Sequence, residues 1–416
     1  MLIFNESTLI TGGISMDEHM LFSTALGLEK PWKVVEIEFS KDKGRLDLTI
    51  DFQRGATFPC SSCEEGNCPV HDTKDRTWRH LNFFQYETYL HARVPRIKCK
   101  ACGIKQVEVP WARPGSGFTL LFEMLVLQLC REMSVAGVGE LVGEHANRIW
   151  RILEHYVERA RRNVDLSFFH ILGIDEFSVR KGHNYMTSFS DIDASRVLFV
   201  AESRRKEVVS KFTEDMRQRG YDPEQIDLIC CDMWDAYLNG IRNHLPQASV
   251  VFDRFHIMKQ MNKAIEKVRW AEQKTNKDLK KTRFIWLKNP KNLTEKQKDK
   301  LSGLKKYDLK TARAYHIKLA LARFWDIEDS EESEAYLKKW YFWATHSRLA
   351  PVIEAARCIK NYWQGVINYT KSRITNGVVE GLNSKIKTAM KRAYGFKQTQ
   401  YLKTIVYLVV GKLCFE

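Results

Sequence analysis

No stretch of this chain is apolar for long enough to cross a bilayer. The most apolar segment, Thr404–Val410, is far shorter than the roughly 20 residues a spanning helix needs. No basic leader precedes an apolar stretch near the start, where the acidic Glu6 comes early, so a secretory signal is not expected. Cysteine is sparse outside one short region: five of the ten lie between Cys60 and Cys102. Paired Cys-x-x-Cys motifs in a large chain without an export signal point to metal rather than disulfides, and to a reducing cytoplasm. Acidic residues are outnumbered, 51 against 66 basic ones, which leaves a formal charge of +15. A basic excess of this size fits a polyanionic partner, nucleic acid first of all, because neutralising phosphates releases counterions. What is present suffices for packed cores: 44% hydrophobic and 12% aromatic residues argue against global disorder. At 416 residues the chain exceeds one ordinary core, so two to four domains are expected.

Residues 1–32 read as a loose leader with a short amphipathic helix around Met16–Leu26. Lys33–Phe39 and Arg45–Phe52 alternate apolar with polar residues about a Lys41–Gly44 turn, as a β-hairpin does. Two knuckles follow, Cys60-Ser-Ser-Cys63 and Cys99-Lys-Ala-Cys102, and Tyr86–Val94 alternates as a strand between them. This pattern describes a zinc ribbon, in which four thiolates hold a structural Zn²⁺ tetrahedrally. The span between the pairs also carries Cys68 and His71, so a mixed ligand set stays open.

Helical spacing then runs through Phe118–Met133, and the small-residue stretch Ser134–His145 reads as a turn. A second helix begins with Asn147, Arg148 and Arg151. That is the layout of a DNA-binding helix-turn-helix, and Arg159-Ala160-Arg161-Arg162 adds a basic edge suited to phosphates.

Leu166–Ile174 reads as a strand that delivers Asp175 at its end. Asn184–Asp191 and Arg196–Ala201 are two more strands, and Lys206–Gly220 a helix. Ile226–Cys231 is a strand ending in Asp232, Asp235–Leu245 a helix, and Ser249–Phe252 a strand running into Asp253-Arg254-Phe255-His256. Three strands, a helix, a strand, a helix and a strand make up the core order of the ribonuclease-H-like fold. From Ile257 to about Tyr369 the pattern is wholly helical and rich in basic residues. Trp325, Trp340, Tyr341, Trp343 and Trp363 are read there as core. The last segment starts a helix at Asn376-Gly377 and places Glu380, Asn383, Ser384 and Lys387 on one face.

The fold expected is a multidomain α/β chain. It comprises a leader and β-hairpin (1–50), a zinc ribbon (51–110) and a helix-turn-helix (111–165). A ribonuclease-H-like catalytic domain (166–257 and 372–416) follows, interrupted by an all-α insertion (258–371). Asp175 and Asp232 at strand ends, with Glu380 from a late helix, can hold two Mg²⁺ or Mn²⁺ ions about 3.5–4 Å apart. One ion would activate water or a 3′-hydroxyl and the other would stabilise the departing phosphodiester oxygen. Asp253 also ends a strand and is second choice for the second acid, while Glu176 and Asp235 are near neighbours that the sequence does not exclude.

Several segments together resemble the DDE transposases of the ISL-three family of bacterial insertion sequences. They are the two cysteine pairs with Trp78-Arg79-His80-Leu81 and Arg93-Val94-Pro95-Arg96 between them, Gly173-Ile174-Asp175-Glu176, the block Asp232–Tyr237, Phe252-Asp253-Arg254-Phe255-His256, and Asn376–Lys387 with Arg392-Ala393-Tyr394-Gly395-Phe396. They run from about residue 50 to the end. The resemblance implies that Asp175, Asp232 and Glu380 are the catalytic acids. Asp253 and His256 form a DxxH block that supports the site or contacts DNA, and Asn383 and Lys387 lie on the helix of the third acid. It further implies an enzyme that binds the double-stranded terminal inverted repeats of its element, cleaves a strand at each end and joins the 3′-hydroxyl to target DNA. Such an enzyme is at least a homodimer in its synaptic complex, needs no membrane, and works in the bacterial cytoplasm on the nucleoid. Two other classes compete. The presence of all three acids argues against a non-catalytic DNA-binding regulator, and the ribbon with its helix-turn-helix favours end binding over a plain nuclease.

Overall fold

The computed structural model describes residues 17–179, 185–203, 205–304, 308–374 and 376–415. The expected leader through Met16 and the first residue of the expected strand, Asn184, lie outside the described residues. The chain divides into two compact units. One runs up to Glu132 and includes Val138–His145; the other holds Met133–Gly137 and everything from Ala146 onward.

The first unit contains α1 (Glu18–Ala25), β1 (Trp32–Ser40), β2 (Arg45–Phe52), β3 (Thr57–Phe58), β4 (Cys68–Arg79), β5 (Glu87–Cys99), β6 (Gly103–Gln106) and α2 (Leu120–Glu132). Its strands form one sheet in the order β1-β2-β5-β4-β3, with β6 also paired to β5. The β1–β2 hairpin forms as its alternation requires, with Leu46, Leu48 and Ile50 buried on one face. They pack with Leu90, Ala92 and Val94 of β5 and with Trp32, Trp78 and Trp111. Strand β4 is not legible in the sequence, because most of its central residues, Asp72–Arg76, are polar and exposed. Its backbone ladder to β5, from Val70 opposite Ile97 to Arg79 opposite Tyr89, carries it instead.

The Trp78-Arg79-His80 block at the end of β4 is structural. Arg79 is only 2% exposed. Its guanidinium donates to the carbonyls of His80 and Thr88 and to Asn82 Oδ1, and it lies over the Tyr89 and Phe122 rings. Its backbone is bonded to Gly117 and Thr119, which lead into α2. His80 contacts Thr119 Oγ1 at 2.9 Å, and burial pulls its pKa down to about 4, so the ring is neutral.

Between Ser134 and His145, where the sequence pattern suggests a turn, the structure has a helix, α3 (Val135–Val142), ahead of α4 (Ala146–Arg162). Ser134 caps α3, its Oγ accepting from Gly137 N at 3.1 Å. Val135, Val138 and Val142 are buried at helical spacing. Two glycines, Gly137 and Gly139, hide this short amphipathic pattern. The true turn is Gly143–His145, and Gly143 takes the positive φ of +72° it needs.

The second unit is built on a five-stranded sheet. Its strands are β7 (Ile171–Ser178), β8 (Tyr185–Asp191), β9 (Arg196–Glu202), β10 (Leu228–Cys231) and β11 (Ser249–Phe252), in the order β11-β10-β7-β8-β9. β7, β10 and β11 are parallel, and β8 is antiparallel to both neighbours. Helices α5 (Glu207–Gln218) and α6 (Asp235–His244) make the crossovers. This is the ribonuclease-H-like topology. The boundary that moves furthest is that of β7, which begins at Ile171 rather than Leu166 and continues to Ser178, so Asp175 lies inside it. Pairing with β8 carries the strand beyond the point where its apolar run ends.

Among the described residues seven α-helices follow: α7 (Arg254–Glu272), α8 (Arg283–Leu287), α9 (Glu295–Leu304), α10 (Lys310–Phe324), α11 (Ser330–Thr345), α12 (Ala350–Asn361) and α13 (Trp363–Ser372). One hydrophobic core runs without a break from Leu172, Ile174 and Ile229 in the sheet to Trp286, Leu321 and Trp340 in these helices. Gly365 lets α13 lie against the sheet edge, since a Cβ there would come within 2.2 Å of the Phe252 ring. Asn368 Nδ2 donates 2.9 Å to the edge-strand carbonyl of Val250. Trp325 and Trp340 are core and Tyr341 and Trp363 partly so, whereas Trp343 is exposed against expectation. Helices α14 (Gly377–Arg392) and α15 (Thr399–Val410) complete the unit.

Candidate active site and metal centre

The cysteine pairs sit on two tight turns, one after β3 and the other joining β5 to β6. Gly103, at φ +72°, closes the second. The sulfurs of Cys60, Cys63, Cys99 and Cys102 all lie within 4.8 Å of one another, and Cys63 Sγ is 3.6 Å from Cys99 Sγ. Tetrahedral Zn²⁺ with Zn–S bonds of about 2.3 Å separates its sulfurs by roughly 3.8 Å, so the donor set fits zinc. The amide of Cys102, 3.4 Å from Cys99 Sγ, is the main cause that pulls the Cys99 thiol down to about 7, toward the thiolate a metal needs. Cys68 and His71 stay outside the cluster. Cys68 Sγ donates to the Glu65 carbonyl and His71 pairs with Asp72 at 3.2 Å. The four cysteines thus form a structural zinc-ribbon site.

The carboxylates are assembled by strand register. β10 pairs with β7 up to Cys231 opposite Ile174, so Asp232 comes next to Asp175 across a strand spacing of about 4.8 Å. β11 pairs with β10 up to Phe252 opposite Cys231, which puts Asp253 beside Asp232. Three acids thus line up past the carboxyl ends of β10 and β11, the edge where open α/β sheets bind ligands. Alternation along β7 then sorts the neighbours. Leu172 and Ile174 face the main core, so Glu176 projects to that side, while Gly173 and Asp175 face α14. Asp235 is set apart at the start of α6, where its carboxylate accepts from Tyr362 OH at 2.9 Å.

Gly173 brings the helix that carries Glu380 against β7. A Cβ at Gly173 would lie 2.4 Å from Val379 Cγ2, so α14 rests directly on β7 there. One helical turn beyond Val379, Asn383 Nδ2 donates to Asp175 Oδ2 at 2.6 Å. Asn383 is buried, whereas Glu380, Ser384 and Lys387 are exposed, so the four residues grouped on one face by spacing divide between sheet and solvent. Glu380 is one residue from Val379 and three from Asn383, in the first turn of α14. Sequence spacing placed Asn383 near the site but could not tell that it bonds Asp175.

Electrostatics favour a cation here. Burial, then the charge of Asp232, pushes the Asp175 carboxyl up to about 6. Asp232 Oδ1 is buried without a hydrogen-bond partner. His256 Nδ1 stands 2.9 Å from it as an ion pair, but its hydrogen bond runs to Asp253 Oδ2 at 3.3 Å. Held between those two carboxylates, His256 is pushed up to about 9 and is charged. The acids do not close into a cluster: among the described residues, only the four cysteines form a group of three or more possible ligands within 4.8 Å. Two carboxyls, Asp175 and Asp232, held close enough for the charge of one to raise the pKa of the other fit hard divalent cations, which take oxygen ligands.

In α4 the residues flagged for DNA occupy its first two turns. Asn147 and Arg151 are exposed and Arg148 is half-buried, while Ile149, Trp150, Ile152 and Leu153 are buried. The basic edge at the other end of α4 is partly committed to the fold. Arg161 pairs with Asp215 and lies 4.5 Å over the Tyr407 ring, and Arg162 pairs with Glu158. No helix among the described residues is long and apolar enough to cross a membrane.

Three family models match the chain. A DDE-type transposase model of the ISL3 kind covers residues 172–406, the helix-turn-helix domain of transposase family ISL3 covers 107–157, and the zinc-finger of transposase IS204/IS1001/IS1096/IS1165 covers 56–102. The transposase for insertion sequence element IS1557 of Mycobacterium tuberculosis is 26% identical over 431 residues, covering 94% of this chain and 95% of that protein. The transposase for insertion sequence element IS1001 of Bordetella parapertussis is 27% identical over 387 residues, covering 91% and 95%. Among solved structures, a chain of a simian T-cell lymphotropic virus intasome complex covers 42% of this chain and 66% of its own length. Its identity is 14% and its TM-score 0.17, a likeness too slight to bear on the fold.

Proposed function

The chain belongs to the ISL3 family of DDE transposases of insertion sequences, and from that premise we propose that it binds the terminal inverted repeats of its element and carries out strand cleavage and transfer with Asp175, Asp232 and Glu380 as its catalytic acids. The observation that carries this reading is the side-by-side register of Asp175 and Asp232, with α14 resting on Gly173 and Asn383 bonded to Asp175. These three acids would hold two divalent cations, Mg²⁺ or Mn²⁺, which when bound activate water or a 3′-hydroxyl and stabilise the departing oxygen.

The protein's own groups set the stage for that chemistry. Asn383 and the Glu176 amide each donate to one oxygen of the Asp175 carboxylate and fix its orientation, and each oxygen keeps a further lone pair. His256 acts as a charged counter-ion that keeps Asp232 and Asp253 from repelling each other. Asp253, one strand further out, supports the site rather than ligating directly. Asn147, Arg148 and Arg151 start α4, where a recognition helix meets base edges and phosphates. The ribbon (51–110) and helix-turn-helix (111–165) serve end recognition, segments 166–257 and 372–416 the chemistry, and the helices of 258–371 brace it. Two ends brought together call for at least a homodimer during reaction.

The test uses duplex oligonucleotides carrying the element ends, labelled on one strand, with Mg²⁺. Wild-type protein nicks at the end, and Asp175→Ala lowers the rate by roughly a thousandfold, several kcal/mol of charge stabilisation, while end binding is retained. Binding by the wild type with no cleavage in Mg²⁺ or Mn²⁺ would favour a DNA-binding regulator instead.

A further inference from the structure

The Arg392-Ala393-Tyr394-Gly395-Phe396 block takes no part in the site so far described. Among the described residues Tyr394 is the most exposed of the large apolar side chains, at 100%. It is also held at φ +53°, a left-handed conformation that a bulky residue seldom adopts, followed by Gly395 at φ +111°. The turn that holds it is pinned from the other side. Phe396 meets the Trp150 ring edge-on at 6.4 Å, and Trp150 stacks on Tyr401 of α15 at 4.0 Å. An aromatic ring left wholly in water on a strained backbone contributes nothing to the core, so packing does not account for it.

Its surroundings indicate what it meets. Glu380, Ser384, Lys387 and Lys391 recur every three or four residues along the exposed face of α14, and Tyr394 continues that stripe past the helix end. Beside it lies a cavity of about 740 Å³, lined by Ser178 and Val179 from the end of β7 and by Lys387, Met390, Lys391, Tyr394 and Lys397. The cavity therefore lies between the two elements that bear Asp175 and Glu380. Among the described residues its lining holds three lysines and no acid. Lys387 is seven residues beyond Glu380, about 10 Å along the helix at 1.5 Å per residue, or roughly three nucleotides of a DNA strand at 3.4 Å each.

Resting on the transposase reading above, we propose that this groove takes one unpaired nucleotide of the strand being processed, its base stacked on the Tyr394 ring and its phosphates facing Lys387, Lys391 and Lys397. Stacking on an exposed aromatic ring flanked by cations is how single strands are held without regard to sequence.

The experiment measures binding of full-length protein to a labelled oligo(dT) of about 20 nucleotides and to a duplex of the same length. Tyr394→Ala weakens oligo(dT) binding roughly tenfold and leaves duplex binding unchanged. Tyr394→Phe stays within about twofold of wild type, because the ring and not the hydroxyl stacks. Lys397→Gln lowers the salt dependence of oligo(dT) binding by about one phosphate contact. Unchanged oligo(dT) binding by Tyr394→Ala overturns the proposal, and an equal loss in Tyr394→Phe overturns stacking as its basis. End cleavage by the wild type separates the two readings. A wild type that cleaves ends while Tyr394→Ala still binds oligo(dT) normally removes only the groove. A wild type that grips oligo(dT) through Tyr394 yet cleaves no end removes only the transposase chemistry.

Discussion

The ribbon gathers four cysteines and the catalytic sheet a row of acids, and they do so in opposite ways. The four cysteine sulfurs lie within 4.8 Å of one another on two short turns, whereas the three acids come from separate elements and do not close. The difference follows from charge. Thiols are neutral until they lose a proton and pack together as small apolar groups. Carboxylates are charged at neutral pH and repel, so the protein keeps each one near a partner of its own: Asn383 for Asp175, and His256 for Asp232 and Asp253. A closed four-thiolate site leaves no open position and adds its binding energy to folding. An open row of carboxylates leaves room for cations and a phosphodiester together.

The sharpest way to break that contrast is at the ribbon, where the effect is all or none. Cys99→Ser is expected to drop bound zinc from about one ion per chain to near zero, given roughly 10–16 kcal/mol of binding energy in such sites, and to abolish end-specific DNA binding. Cys68→Ser should keep both. Elemental analysis of purified protein decides, and stoichiometric zinc in Cys99→Ser would mean that the four cysteines are not the ligand set.

At the sheet the losses should be graded. Asp232→Ala is expected to lower end cleavage by roughly a thousandfold, and Asp253→Ala by roughly tenfold. Single-turnover cleavage rates compare them directly, and the reverse order would transfer the second ligand to Asp253. The last effect falls on metal affinity rather than on the cleavage rate, and it belongs to the partner rather than the acid. Asn383→Ala removes one bond to a charged group, and metal affinity read from a Mn²⁺ titration of cleavage should weaken by roughly 10–100-fold, with end binding unchanged. An Asn383→Ala enzyme with a wild-type Mn²⁺ requirement would show that the bond does not orient Asp175.

Some of this was plain from the residues. The two Cys-x-x-Cys pairs, the alternation of β1 and β2, and the order of strands and helices from β7 to β11 all depend on local spacing, and they stand as read. The misplacements share a cause. Strand β4 is polar and rests on ladder bonds to a partner, and β7 runs past Asp175 because β8 continues beside it. Helix α3 is masked by glycines whose low helix propensity is overridden by a cap and three buried valines. Each was settled by a neighbour that a linear pattern does not contain.

The same division holds at the sites. Residue type and spacing alone pointed to a zinc ribbon on the two cysteine pairs, because both pairs are local turns, while the structure left Cys68 and His71 outside the ligand set. They also picked out Asp175, Asp232 and Glu380 as acids of interest. Only the tertiary structure decided how those acids stand to one another. Register across β7 and β10 set Asp232 beside Asp175, and the missing side chain of Gly173 allowed α14 to approach until Asn383 met Asp175. Contacts between residues so distant in sequence are fixed by packing and pairing, which no local pattern encodes.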